Sequence, residues 1–239
     1  MQFTEIGFAV FLLIVFCVYW FALRKTINLR NLAILSASYL FYGWWDWRFL
    51  ILIVITTLST YATALLIPRR KGKIALIINI VLNLGILVAF KYLGFFTENL
   101  QKLFSWFGWN LDWFTIDVLL PVGISFYTFQ AIAYSVDVYR KKVLPEKNII
   151  TFATFIAYFP QLVAGPIERA SQLLPQLNTV RKWQRARATS GLQMILFGVL
   201  KKVAVADIVA LYVDKIFNEG NLENPLIVLA AGLLFSVQI

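Results

Sequence analysis

The sequence predicts an all-α protein that crosses a bilayer several times, and three observations predict that fold class. Of its 239 residues, 60% are hydrophobic and only 14% charged, with a mean hydropathy of +0.75; a water-soluble domain carries about 45–50% apolar and about 25% charged residues. The 22 basic and 12 acidic residues fall in clusters, and the uncharged runs between them are about as long as a helix needs to cross hydrocarbon. No hydrophilic stretch is long enough for a soluble domain, and no repeat or low-complexity tract is visible. A soluble enzyme, a secreted disulfide scaffold and a disordered tail are excluded. The net charge of +10 sits between the apolar runs, where orientation in a membrane accounts for it without nucleic acid. Cys17, the single cysteine, lies in an apolar run, which leaves no intrachain disulfide and no thiolate metal cluster. There is no histidine.

Taken in order, Gly7 to Leu23 is an uncharged run preceded only by Glu5, without a basic n-region or a small-residue cleavage site, so it predicts a retained transmembrane helix. Asn31 to Trp45 is shorter and ends in Trp44, Trp45, Asp46 and Trp47, a mixture suited to the headgroup level. Phe49 to Ile67 is a full-length span stopped by Pro68, Ile74 to Phe90 is the fourth, and Val118 to Val136 the fifth. Between the last two, Leu100, Leu103, Phe104 and Phe107 recur at helical spacing with Trp106, Trp109 and Trp113 interspersed. Thr97 to Phe114 therefore predicts a helix lying in the interface. Asn148 to Ile167 is uncharged but interrupted by Pro160 and Gly165-Pro166; Ala188 to Val213 carries Lys201, Lys202 and Asp207; the last run begins near Pro225 and is still apolar at Ile239. The expectation is about seven to eight membrane segments.

Orientation follows from the basic residues of the connections. Arg24, Lys25, Arg30, Arg69, Arg70, Lys71, Lys73, Arg140, Lys141, Lys142 and Lys147 follow spans one, three and five, against Arg48, Lys91 and Lys102 after spans two and four. That places the first group in the cytoplasm and the N-terminus outside. Arg169, Arg181, Lys182, Arg185 and Arg187 would then be external if segment six crossed. A re-entrant segment six removes the conflict, since non-helical backbone at depth is tolerated where protein or a water-filled cavity surrounds it. A Pro-kinked crossing helix is the alternative.

Several residues are candidates for chemistry. Pro160, Gln161, Gly165, Pro166 and Glu168, with Arg169 beside it, combine a backbone breaker, an amide at depth and an acid–base pair, a pattern suited to a cavity lining or to a simple kink. Lys201, Lys202 and Asp207 stand in apolar sequence, where each charge costs about 2.5–3.5 kcal/mol at a central helix position. Spacings of five and six put Asp207 on a different α-helical face from either lysine, so partners elsewhere are expected; the alternative is that the helix ends near Lys202 and the lysines snorkel. Ser125, Thr128 and Gln130 lie within span five, followed by Tyr134, Ser135 and Asp137, and suit either pocket lining or helix packing.

The ordered motifs Leu120-Pro121-Val122-Gly123-Ile124-Ser125-Phe126-Tyr127-Thr128-Phe129-Gln130, Asp137-Val138-Tyr139-Arg140, Phe159-Pro160-Gln161 with Ala164-Gly165-Pro166-Ile167, Leu174-Pro175-Gln176-Leu177, and Gly198-Val199-Leu200-Lys201-Lys202 with Ala206-Asp207 resemble the membrane-bound O-acyltransferase family. The branch it most resembles is the bacterial one of alginate O-acetylation, with similarity also to that of teichoic-acid D-alanylation, and Phe41-Tyr42-Gly43-Trp44-Trp45 fits that resemblance. The resemblance implies a multi-pass enzyme of the bacterial inner membrane that moves an acyl group, commonly acetyl, to hydroxyls of an extracytoplasmic polymer. It further implies a reaction centre in a tunnel, no tightly bound cofactor or metal, and an acyl donor on the cytoplasmic side, a thioester such as acyl-CoA or acyl carrier protein. The polymer acceptor is reached directly or through a partner acetyltransferase.

The family's catalytic histidine belongs to a later segment, so residues 1–239 are expected to be the N-terminal portion of a single membrane-embedded acyltransferase domain, inactive alone. Among residues present, Asp207 or Glu168 would need a strongly raised pKa to act as the base, and Lys201, Lys202 or Gln161 are the candidate oxyanion donors. The rival class is a transporter or channel component with a midplane polar site. In a Cys17-free protein, a cysteine near Arg70 should be labelled only from the cytoplasm and one near Lys102 only from outside. One near Arg185 should share the side of one near Lys142 if segment six is re-entrant, and labelling from opposite faces would establish a full crossing.

Overall fold

A computed structural model describes residues 5–22, 26–107, 121–162, 165–218 and 224–239, and among them every regular element is helical, with no strand. The starts of the fifth span at Val118, the interfacial residues Trp109 and Trp113, and the basic residues Arg24 and Lys25 lie outside the described residues. The chain forms two compact units, Phe11–Val180 and, separately, Gln2–Val10 with Arg181–Ile239.

The first unit takes in α1 (Ile6–Cys17) from Phe11 onward; Phe11 lies against the rings of Phe41 and Phe159, with centroids 5.8 and 5.4 Å away, and the helix runs into a π-helical turn, Val18–Ala22. Arg30 is not a solvated loop cation. It lies buried in the first turns of α2 (Ile27–Asp46), its guanidinium 5.2 Å from the Tyr19 ring centre and 6.0 Å from that of Trp20. Asp46 ends α2 in an extended conformation and caps a single 3-10 turn, Trp47–Phe49, by accepting from the Arg48 backbone N–H and from its guanidinium. Those side-chain bonds hold the Asp46 carboxyl below the usual carboxylate range. The neighbouring Trp44, Trp45 and Trp47 are exposed, as rings at a headgroup level are.

Among the described residues, two stretches are long and apolar enough to cross a membrane: Ile27–Leu66, which contains α2 and α3 (Leu50–Leu66), and Gly72–Lys91, which is α4. α4 has the opposite pattern to a helix of a soluble core. Its buried positions are Gly72, Ala75, Asn79, Asn83 and Leu87, while Ile74, Ile77, Ile78, Val81 and Leu82 face outward. Asn79 Nδ2 donates to Thr60 Oγ1 at 3.0 Å and to Thr63 Oγ1 at 2.9 Å, and Asn83 Nδ2 reaches Thr60 Oγ1 at 3.3 Å, so α3 and α4 are joined by amide–hydroxyl bonds. Such pairs replace the hydrophobic drive, which disappears when the surroundings are themselves apolar. Gly72 makes the tight connection possible: a Cβ there would sit 1.9 Å from the Ile67 carbonyl oxygen.

α5 (Leu93–Trp106) starts earlier than the sequence pattern suggested, directly after α4, and keeps Leu100, Leu103 and Phe107 exposed on its apolar side. α6 (Ile124–Tyr139) begins only after Pro121 and the left-handed Gly123, φ 77°, which shortens the fifth apolar run at its start. It packs on α3 and α4 and, through its other face, on α7 (Ile149–Ile156). It closes in a Schellman turn: Lys141 N–H donates to Val138 O, Lys142 N–H to Asp137 O, and Lys141 takes the left-handed position, φ 56°, where glycine is usual.

α7 is held between α2, α3 and α9 (Ala170–Leu177). Asn148 caps it by accepting from Ile150 N–H at 3.0 Å. Asn31 donates to Thr151 Oγ1 and to the Leu177 carbonyl, each at 3.0 Å, and Thr154 donates back to the Asn31 carbonyl. Tyr134, Phe152 and Phe155 form the aromatic heart of this packing, with Tyr134 and Phe152 centroids 4.9 Å apart.

In the second unit, α10 (Arg185–Lys201) continues through a π-helical turn, Lys202–Ala206, into α11 (Asp207–Asn218), which packs on α12 (Pro225–Gln238) around Val213 and Ala231. Replacing Asn79 by Ala should lower stability by about 0.6–1.7 kcal/mol, because Thr60 and Thr63 lose their donor; Leu82→Ala on the outward face should be close to neutral. Thermal unfolding of both variants in detergent checks the contrast.

Candidate functional site

Segment six is a broken helix. α7 stops at Ile156, Ala157 and Tyr158 form the break, and α8 (Phe159–Leu162) follows, with Val163 and Ala164 outside the described residues. The break precedes Pro160, not coincident with it. Pro160 is the second residue of α8, where a missing N–H costs nothing. An interrupted helix frees carbonyls at one end and N–H groups at the other, and each must find a partner where water is excluded.

Two of the sequence-derived candidates, Gln130 and Gln161, and a third side chain, Ser38, supply those partners. Phe155 O, freed by the break, accepts from Gln130 Nε2 at 2.9 Å and from Gln161 Nε2 at 3.3 Å. Phe159 N–H donates to Ser38 Oγ at 3.2 Å, while that hydroxyl donates to Ile34 O. Gln130 and Gln161 are both buried, and Gln161 Oε1 is a buried acceptor with no donor among the described residues. Gly165 closes the node: its N–H donates to Gln161 O at 3.0 Å, and a Cβ would lie 2.5 Å from Gln161 Cα. Chemically, two amides share one carbonyl and present one unoccupied amide oxygen, so the node can receive a hydroxyl or N–H donor but has no group to take up a proton.

The remaining candidates are placed as follows. Pro160 and Pro166 are exposed, Glu168 is half-buried just before α9, and Ser125 is half-buried on the first turn of α6. Thr128 and Ser135 are fully buried in α6. Lys201, Lys202 and Asp207 belong to the second unit and are all exposed in it.

The expectation that Asp207 has a partner elsewhere is corrected. Lys202 Nζ bonds Asp207 Oδ1 at 2.5 Å, although the two are five residues apart. The π-helical turn at Lys202–Ala206 is the cause, since i→i+5 winding stacks residues that an α-helix would put on different faces. Nor does the helix end near Lys202, as the snorkelling alternative required. Lys201 Nζ instead lies 4.7 Å from the Phe197 ring centre. Among the described residues no cluster of metal-ligating side chains occurs.

Sequence reasoning missed Ser38, Asn31, Thr151 and Thr154. Their signal is present as polar residues at helical spacing inside apolar runs, but the partners are up to 146 residues apart. Gly165→Ala should push Gln161 off the Phe155 carbonyl and cost about 1–3 kcal/mol, with Gln130→Leu costing a similar amount through the unsatisfied carbonyl. Both are read from detergent unfolding curves, and wild-type stability in Gly165→Ala would remove the close approach from the account.

Probable alginate O-acetylase AlgI of Pseudomonas aeruginosa is 38% identical over 205 residues, covering 82% of this chain and 38% of that protein. The protein of the same name from Pseudomonas putida is 38% identical over 202 residues, 82% of this chain and 40% of its own. A peptidoglycan O-acetyltransferase of Helicobacter pylori is 28% identical over 220 residues, 80% of this chain and 41% of its own. The chain spans about two fifths of the length of these curated relatives. No family model and no solved structure matches it.

Proposed function

We propose that the chain is part of a multi-pass inner-membrane enzyme of the membrane-bound O-acyltransferase family, one that transfers acetyl to hydroxyls of an extracytoplasmic polysaccharide. The observation that carries this reading is that its relatives are named for O-acetylation of two different polysaccharides, alginate and peptidoglycan. The common denominator is a sugar hydroxyl as nucleophile.

The reaction joins the hydroxyl oxygen to the acetyl carbonyl carbon, breaks the thioester carbon–sulfur bond, sends the hydroxyl proton to a base and releases the thiol. The family resemblance makes the base a histidine, and none is present among these 239 residues; the amides at the break cannot take up a proton, so in this reading the base lies outside them. Within the chain the broken helix has a binding role. The unoccupied Oε1 of Gln161 accepts from the acceptor hydroxyl, and its shared grip on Phe155 O with Gln130 fixes its orientation. In this reading segment six is re-entrant, the helix break lies at membrane depth, and the Lys202–Asp207 pair carries charge through an apolar helix at no net charge.

Cells producing the full-length protein with Gln161→Leu should export polymer in wild-type amount with its acetyl content reduced about tenfold or more, about 1.4 kcal/mol in the transfer step. Lys201→Ala, Lys202→Ala and Asp207→Ala should each lower acetyl content at matched membrane levels, and residues 1–239 alone should give none. Polymer that disappears instead of losing acetyl groups would indicate transport, and full acetylation by the 239-residue chain would refute an external base.

A further inference from the structure

Two connections about seventy residues apart in sequence meet at one end of the first unit, where Arg69, Arg70, Lys73 and Lys141 line a cleft of about 700 Å3 together with Leu144 and Pro145. No carboxylate lines it. The ion pairs among the described residues, Arg48–Asp46 and Lys202–Asp207, are elsewhere, and the nearby Glu146 carboxylate is turned to Asn178 Nδ2 and Asn148 N–H. α4 opens at the cleft with Gly72 and Lys73, with no acidic residue and no side-chain cap in its first turn, so its N–H groups add to the positive potential. An adjoining cleft adds Lys147 and shares Arg69 and Leu144.

Orienting the protein in a membrane requires cations on this side but does not require them to converge on one concavity. Lys141 is the sharper observation. It occupies the left-handed position of the Schellman turn, φ 56°, where glycine would be free of strain. A lysine kept there puts a cation on the cleft wall. Leu144, which also lines the cleft, is 86% exposed, and the outward stripe Ile74, Ile77, Ile78 begins one residue past Lys73.

We infer that this cleft binds the phosphate headgroup of an anionic phospholipid, with the lipid's acyl chains on the apolar surface that starts beside it. The inference rests on the membrane reading above, not on acyl transfer. Cations neutralise the phosphate, and exposed Leu144 and the α4 stripe select a phosphate that carries a hydrocarbon tail over a free anion. The commitment to lipid follows from this pairing of charge and apolar surface at the end of two membrane-length stretches.

The test is native mass spectrometry of the purified full-length protein titrated with phosphatidylglycerol or phosphatidylcholine. Preferential retention of one phosphatidylglycerol is expected. Lys141→Gly relieves the backbone while removing the cation, so it should weaken that retention about fivefold with an unchanged or higher melting temperature. Arg69→Gln with Lys73→Gln should abolish the preference, and Arg185→Gln with Arg187→Gln, cations of α10, should leave it intact. Equal retention of both lipids, or wild-type preference in Lys141→Gly and in Arg69→Gln with Lys73→Gln, overturns the site. Displacement of the lipid by millimolar inorganic phosphate or by coenzyme A also overturns it, in favour of a small-anion or soluble-donor site. None of these readouts involves polymer acetylation.

Discussion

A helix interrupted in apolar surroundings must find partners for the backbone groups it frees, and the first unit is arranged around that obligation. Where α7 gives way to α8, the Phe155 carbonyl is met by Gln130 from α6 and Gln161 from α8 itself, and the Phe159 N–H is met by Ser38 from α2. Water would have satisfied all of them at a protein surface. Here three different helices must be in register for the break to exist at all, which ties α2, α6 and α7 together as firmly as their packing does. Gly165 adds the close return of the chain over Gln161. The same residues that stabilise the interruption therefore fix the orientation of Gln161, whose buried amide oxygen has no donor among the described residues.

The rest of the first unit follows a related logic. With apolar side chains outward, helices cannot rely on excluding hydrocarbon from their contacts, so the buried seams carry small and polar side chains. Thr56, Thr60 and Thr63 of α3, Asn79 and Asn83 of α4, and Thr128 and Ser135 of α6 are all buried. Hydrogen bonds account for part of that set; Asn79 Oδ1, Asn83 Oδ1, Thr128 Oγ1 and Ser135 Oγ have no partner. The side chains of span five thus divide by face. Gln130 faces the helix break, whereas Thr128 belongs to the packed face, and the sequence alone left both readings open for each.

Much of this was readable from composition and punctuation. Uncharged runs marked α2, α3, α4 and α12, Pro68 marked the end of α3, and Pro160 with Gly165-Pro166 marked an interruption within segment six. Gln161 stood out in the sequence as an amide beside a backbone breaker in an apolar run, a pattern that suited a cavity lining or a simple kink alike. What was not legible depended on long-range pairing or on departures from regular winding. The reach of Asn31 to Thr151 and Leu177 spans more than half the chain, and Arg30 read as a connecting cation because nothing in the sequence announces that Tyr19 and Trp20 cover it. Lys202 and Asp207 were separated by an assumption of 3.6 residues per turn that fails between them.

That failure has a consequence for any comparison of this segment with other sequences. A π-helical turn amounts to one residue inserted into an α-helix, and each residue turns the helix by about 100°. Side chains after Ala206 are thus out of phase with those before Lys202, and α10 and α11 present different faces although no loop separates them. A relative with an unbroken α-helix here would need a one-residue gap between 202 and 206 to align correctly. An ungapped alignment would match lipid-facing positions of one protein to packed positions of the other throughout α11, and would equate Asp207 with a residue that never meets its lysine.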